Sequence, residues 1–160
     1  MLASSIVLGV VAGIGFGGDW RRLKRLKFRG IPILFASGLI RLAGVFWGLP
    51  LALYVLVLCS LVVVAFLNRR LPGAFLLGAG IAMNLIAILA NGGMPISPEA
   101  AGIAGLELPA DGLHHPMTEA TRVQALVDVI PVPLFRNVYS AGDVVLAVGG
   151  FWLPFAALRR

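Results

Sequence analysis

The sequence predicts an all-α fold, a polytopic membrane helix bundle of about five transmembrane helices with a short external loop and helix segment, and three observations lead there. Of its 160 residues 59% are hydrophobic and 12% charged, against roughly 25% charged in ordinary soluble domains. Five apolar runs approach the ~20 residues that cross a bilayer as a helix. The lysines and arginines gather in short clusters between those runs, and such clusters mark cytoplasmic loops.

The first run, about residues 1–17, has no basic residue ahead of it, and its charges follow in Asp19-Trp20-Arg21-Arg22. It is read as a retained helix entering from outside and not as a cleaved signal. The second, about 31–49, carries Arg41, and Pro50 then turns the chain. The third, about 51–67, has no charge, and the fourth, about 73–90, contains Asn84. The fifth, about 140–158, opens near Asp143 and carries Pro154 near its end. Five alternating spans put Arg21, Arg22, Lys24, Arg25, Lys27 and Arg29, then Arg69 and Arg70, then Arg159 and Arg160 on one side. A four- or six-helix count would send a basic cluster outside, so the N-terminus is expected outside and the C-terminus in the cytoplasm. The charge of +6 is thereby assigned to membrane loops, and no nucleic-acid partner is expected.

Residues 91–139 hold five of the seven acids and form the expected external segment. Its first part, rich in Gly, Ala and Pro, is expected to be irregular. From Thr118 a short amphipathic helix is expected, with Thr118 as cap, Glu119 at the positive dipole end, and Val123, Leu126, Val127 and Ile130 at three-and-four spacing until Pro131 and Pro133 stop it. Glycines within the runs, among them Gly9, Gly13, Gly17, Gly38, Gly44, Gly78, Gly80, Gly149 and Gly150, suit close helix packing. Cys59 stands alone, so no disulfide framework and no cysteine metal site arises within one chain.

An ionisable group inside a span usually faces the protein interior or a polar cavity. Arg41 and Asn84 both fall about ten residues, or ~15 Å, from the cytoplasmic ends of their helices. Arg41 can extend outward towards Asp143, as a structural ion pair or as part of a polar pocket opening outward. Asn91-Gly92-Gly93-Met94-Pro95 reads as a helix stop whose asparagine can join that pocket. His114, His115 and Glu119 are further pocket candidates. Adjacent histidines diverge and rarely share a metal, and no spanning run holds a histidine for haem, so neither a metal nor another cofactor is expected. Asp128 and Asp143 are the candidate catalytic pair, because two carboxylates held together can share one proton and act as base and acid on water.

Four stretches carry a resemblance: Asn91-Gly92-Gly93-Met94-Pro95, His114 to Arg122 (His-His-Pro-Met-Thr-Glu-Ala-Thr-Arg), Asp128-Val129-Ile130-Pro131, and Tyr139 to Ala147 (Tyr-Ser-Ala-Gly-Asp-Val-Val-Leu-Ala). The chain resembles an uncharacterised family of small bacterial multi-pass membrane proteins of unknown function over most of its length, most sharply from 91 to 150. That resemblance implies a bacterial cytoplasmic membrane and no activity. A second likeness is to signal peptidase II, a membrane aspartic protease, through Asn91-Gly92-Gly93, Val127-Asp128-Val129 and Ala141-Gly142-Asp143 in that order. It implies catalysis by Asp128 and Asp143. The chain departs from that family in lacking its Asn-x-x-Asp-Arg motif, in its odd helix count, and in having no spans between the asparagine and the aspartates.

The expected function is that of a non-catalytic accessory or scaffold protein, or a binder of a lipid or small polar ligand, with the bilayer and a membrane protein or second copy as partners. The alternative is an aspartic membrane peptidase. A proton-coupled transporter using Asp143 is third, and it needs a second opening facing inward.

Overall fold

The computed structural model describes residues 1–109 and 111–159, without the side chains of Arg25 and Val45. Arg160, the last of the basic cluster at the C-terminus, lies outside the described residues. The described chain is mostly helical, with six α-helices: α1 (Leu2–Gly15), α2 (Ile31–Trp47), α3 (Leu51–Leu67), α4 (Ala74–Asn91), α5 (Pro98–Ala104) and α6 (Ala141–Arg159). Two of them, α4 and α6, are long and apolar enough to cross a membrane, while α1, α2 and α3 are apolar but shorter.

The five long helices form an arc in the order α1, α6, α4, α3, α2. Small residues set its tightest seams. A Cβ on Gly80 of α4 would lie 2.6 Å from Gly142 O and 2.7 Å from Leu146 N, and one on Gly149 of α6 would lie 2.8 Å from Leu77 N. Gly9 and Gly13 of α1 meet Phe151, Pro154 and Leu158 in the same way. Backbones in such contact gain dispersion energy that bulkier residues would forbid. Gly17 and Gly38 face open space, so their presence is not explained by packing.

Contacts between helix ends bring the basic segments to one end of the arc. Asp19 N donates to Leu158 O at 3.0 Å, and Arg22 Nη1 donates to the same carbonyl at 3.4 Å. Asn68 bonds Arg29 from the other side, its Oδ1 accepting from Arg29 N at 2.8 Å and its Nδ2 donating to Arg29 O at 2.7 Å.

The opposite end is covered by residues 92–140, and here the local structure differs from expectation. The helix lies in the part expected to be irregular. Ser97 caps α5 by accepting from Ala100 N at 3.2 Å, Pro98 and Glu99 occupy its first turn, and Gly105 closes it in the left-handed region at φ 64°, a full set of start and stop signals. No α-helix forms from Thr118, where a turn leads to a 3-10 turn at Gln124–Leu126. The backbone groups that such a helix needs are engaged elsewhere. Asn91 accepts from Arg122 N at 2.8 Å and donates to Arg122 O at 3.1 Å, and Val123 sits at φ 47°.

Strand β1 (Met94–Ile96) pairs in parallel with β2 (His114–Pro116), and its other edge takes Asp128, whose N donates to Pro95 O at 3.0 Å. Strands β3 (Ile130–Val132) and β4 (Asn137–Tyr139) form an antiparallel hairpin with Ile130 opposite Tyr139. Met94, Leu113 and Val127 are buried together with Leu58, Ala87 and Ile88, so the cap and the helix ends share one apolar core.

Candidate functional site

The hairpin explains how two carboxylates fifteen residues apart come to one place. β3 runs out, Arg136 turns the chain at φ 47°, and β4 returns, so that Val129 N donates to Tyr139 O at 3.2 Å. Asp128 therefore precedes the outgoing strand beside the point where β4 enters α6, and Asp143 lies in the first turn of that helix.

Asp143 accepts hydrogen bonds at both carboxylate oxygens. Asn84 Nδ2 of α4 donates to its Oδ1 at 2.9 Å, and Ser140 N and Ser140 Oγ lie 3.1 Å from its Oδ2. Ser140 Oγ accepts in turn from Asp143 N at 3.0 Å. This reciprocal pair is a capping box, and it satisfies the N–H groups of Ser140 and Asp143 at the N-terminus of α6. The Ser140 hydroxyl also stands 2.8 Å from Asn84 Oδ1, so its single proton serves Asn84 or Asp143 but not both. Gly142 leaves room for Asn84, since a Cβ there would run into the amide.

Asp128 is the opposite case. It is 5% exposed, and its Oδ1 is buried with no hydrogen-bond partner among the described residues. Burial pushes its carboxyl up to about 7, and the negative charge of Asp143 adds to the effect. A buried carboxyl without a donor is costly to ionise and keeps its proton instead.

Both aspartates line an open cavity of about 670 Å³ between the cap and the helices. Leu2 of α1, Arg41 of α2, Tyr54 of α3, Asn84 of α4, and His114, Arg136 and Asn137 of the cap line it as well. The helices also contribute an apolar part of the lining, Leu58, Leu61, Ile81, Ile88 and Leu146.

The structure thus brings Arg41, Asn84, His114, Asp128 and Asp143 to one cavity and leaves other candidates out of its lining. Asn91 turns away, its Nδ2 donating to Ala87 O and Arg122 O, and so fastens the cap to α4. Glu119 is exposed on the cap. His115 Nε2 is buried without a partner among the described residues, outside that lining. His114 instead meets Asp111, Nδ1 to Oδ2 at 2.6 Å. Partial burial opposes ionisation of Asp111, but hydrogen bonds from His114 and Leu113 outweigh it and lower the carboxyl.

The expected approach of Arg41 to Asp143 is not seen. Arg41 Nη1 donates to Tyr54 Oη at 2.7 Å, and its guanidinium lies 4.9 Å from the ring centroid. Tyr54 stands on α3, the neighbour of α2, while Asp143 belongs to α6 further along the arc, so the nearer acceptor holds the cation. Sequence reasoning missed Tyr54, Arg136 and Asn137. Arg136-Asn137 at the turn between the β-branched stretch Ile130-Pro131-Val132 and Val138-Tyr139 is a hairpin signal that points to the latter two.

A helical bundle with an acid-bearing polar cavity beneath a small β-containing cap is the class that fold and site define. The particular family follows from the sequence. Residues 25–155 match the model of a family of unknown function (DUF5317), and the chain belongs to that family. No curated protein and no solved structure matches the chain.

Proposed function

We propose that this protein is a five-span membrane protein, with α1, α2, α3, α4 and α6 in the bilayer and the cap outside, and that Asp128 and Asp143 form an aspartic pair that hydrolyses a peptide bond at the outer membrane surface. α4 and α6 meet the length requirement outright, and 17 residues, as in α2 and α3, lie at the short end of the range for spans. Large apolar side chains such as Phe35, Phe75 and Leu89 are 71%, 77% and 61% exposed, which suits lipid better than water. The basic end, carrying Arg22, Arg29 and Arg69, would face the cytoplasm, and the family resemblance favours a bacterial cytoplasmic membrane.

The observation that carries the catalytic reading is the asymmetry of the pair. Burial pushes the carboxyl of Asp128 up to about 7, while Asp143 accepts hydrogen bonds from Asn84 and Ser140. Two carboxyls on one cavity with such unlike surroundings suit acid and base chemistry on one water. In this mechanism Asp143 takes a proton from water, whose oxygen attacks the carbonyl carbon, and Asp128 gives its proton to the carbonyl oxygen. The tetrahedral intermediate then collapses. The C–N bond breaks as the nitrogen takes up the proton that Asp143 received, and the new carboxyl returns a proton to Asp128. The apolar part of the lining would accept the membrane-embedded part of a substrate, and Arg41, Tyr54 and Arg136 its polar part.

The test is hydrolysis of a set of membrane-anchored peptides by the purified chain in detergent, comparing wild type with Asp128→Asn and Asp143→Asn. The reading expects each variant to lose at least ~100-fold in rate while thermal unfolding shows that it remains folded. Turnover unchanged by either substitution, or none with any peptide, favours a non-catalytic polar-ligand binder built on the same cavity.

A further inference from the structure

A second cavity, of about 410 Å³, lies at the other end of the arc, lined by Lys27, Arg29, Arg69 and Arg70 together with Leu67, Asn68 and Leu71. No acidic residue contributes to its lining, and among the described residues the one ion pair of the chain is Asp111 with His114. We propose that this cavity binds a phosphate group, and that its source is the phosphodiester of an anionic lipid in the adjacent leaflet.

The site is assembled from two remote segments, and a specific device joins them. Asn68 is 4% exposed. Its amide closes a two-bond ring with the backbone of Arg29 and also donates to Val64 O at 2.8 Å. Gly30 follows at φ 83°, where a Cβ would lie 3.0 Å from Val64 Cγ2. The backbone between Lys27 and Ile31 is therefore fixed against the end of α3, and the cations at 27 and 29 stand opposite those at 69 and 70. Arg69 is further held over the Phe66 ring, 4.5 Å from its centroid.

Four like charges gathered at one opening repel unless an anion compensates them. Arginine is the side chain best matched to phosphate oxygens, through paired N–H donors, and lysine adds a point charge. Leu67 and Leu71 give the cavity an apolar side that a free phosphate ion cannot use. A lipid can, with its phosphodiester among the cations and its glycerol and first methylenes on the leucines.

The experiment uses the full chain in a zwitterionic detergent and follows its thermal unfolding midpoint during three separate titrations: phosphatidylglycerol, phosphatidylcholine and inorganic phosphate. Phosphatidylglycerol is expected to raise the midpoint saturably, and phosphatidylcholine to leave it unchanged. The double variant Lys27→Gln/Arg70→Gln is expected to need roughly tenfold more phosphatidylglycerol for the same rise. The double variant Arg21→Gln/Lys24→Gln, which removes the same charge outside the cavity, is expected to match wild type. Arg69→Lys/Arg70→Lys keeps the charge but not the paired donors and should respond between wild type and Lys27→Gln/Arg70→Gln, which separates loss of the site from loss of the fold. Equal loss in the two glutamine variants would reduce the effect to general surface charge and overturn the site. An equal response to phosphatidylcholine, or none to any titrant, would overturn it as well. Stabilisation by inorganic phosphate at concentrations similar to the lipid would support the phosphate site and overturn the lipid as its source.

Discussion

The two ends of the helical arc handle charge in opposite ways. At the capped end two carboxyls of one cavity are treated one by one: Asp143 is hydrogen-bonded by Asn84 and Ser140, while the buried Oδ1 of Asp128 has no partner among the described residues. At the basic end the charges are many and exposed, and only Asn68 is buried, serving to tie backbones together. Exposed like charges are screened by solvent and salt and repel appreciably only where they are gathered at close range. A buried carboxyl without a partner costs far more, and a fold that keeps one puts it where chemistry is to be sought.

Removing the aspartates breaks this comparison most directly. Beyond the loss of hydrolysis expected for Asp128→Asn and Asp143→Asn, the next largest effect belongs to the seam that positions Asp143. Gly80→Leu would drive a side chain into Gly142 O and Leu146 N, and it is expected to destabilise the protein by roughly 3 kcal/mol or more, measured by reversible unfolding in detergent.

Stability against pH sharpens the contrast. A carboxyl raised to about 7 in the folded chain and titrating near 4 when unfolded binds more protons folded than unfolded between those values. Its contribution to stability therefore falls as pH rises through that window. Asp128→Asn is expected to abolish that dependence and to leave the protein more stable than wild type at pH 8, by roughly 2–4 kcal/mol, with little difference at pH 4. At the basic end Asn68→Ala strands Arg29 N and O and is expected to cost roughly 1–3 kcal/mol at every pH. The smallest effect is expected for Tyr54→Phe, which removes one exposed hydrogen bond to Arg41 and costs about 1 kcal/mol or less.

The mostly helical class was legible because apolar runs such as Leu51–Leu67 contain nothing that competes with a helix. The cap was not. The spacing of Val123, Leu126, Val127 and Ile130 suggested one buried face, yet Val127 is fully buried while Val123 and Ile130 are 43% and 37% exposed. Non-local partners, Asn91 for Arg122 and β1 for Asp128, override a local period of that length. The signals of α5 were present in Ser97-Pro98-Glu99 and Gly105 but were obscured by the surrounding glycines and alanines. Asp128 and Asp143 stood out as chemistry-bearing residues, but only the hairpin register places them at one cavity. The placement of Arg41 on Tyr54 depends on which helix neighbours which, and helix order in a bundle is not written in hydropathy.

Infrared titration of the carboxyl stretch, assigned by difference against Asp128→Asn, reads out whether Asp128 holds a proton because it is buried beside the charge of Asp143. A protonated carboxyl signal is expected to persist from pH 4 and to disappear with a midpoint of about 7, moving to lower pH in Asp143→Asn, where the neighbouring charge is gone. A midpoint near 4, or one indifferent to Asp143→Asn, would contradict it.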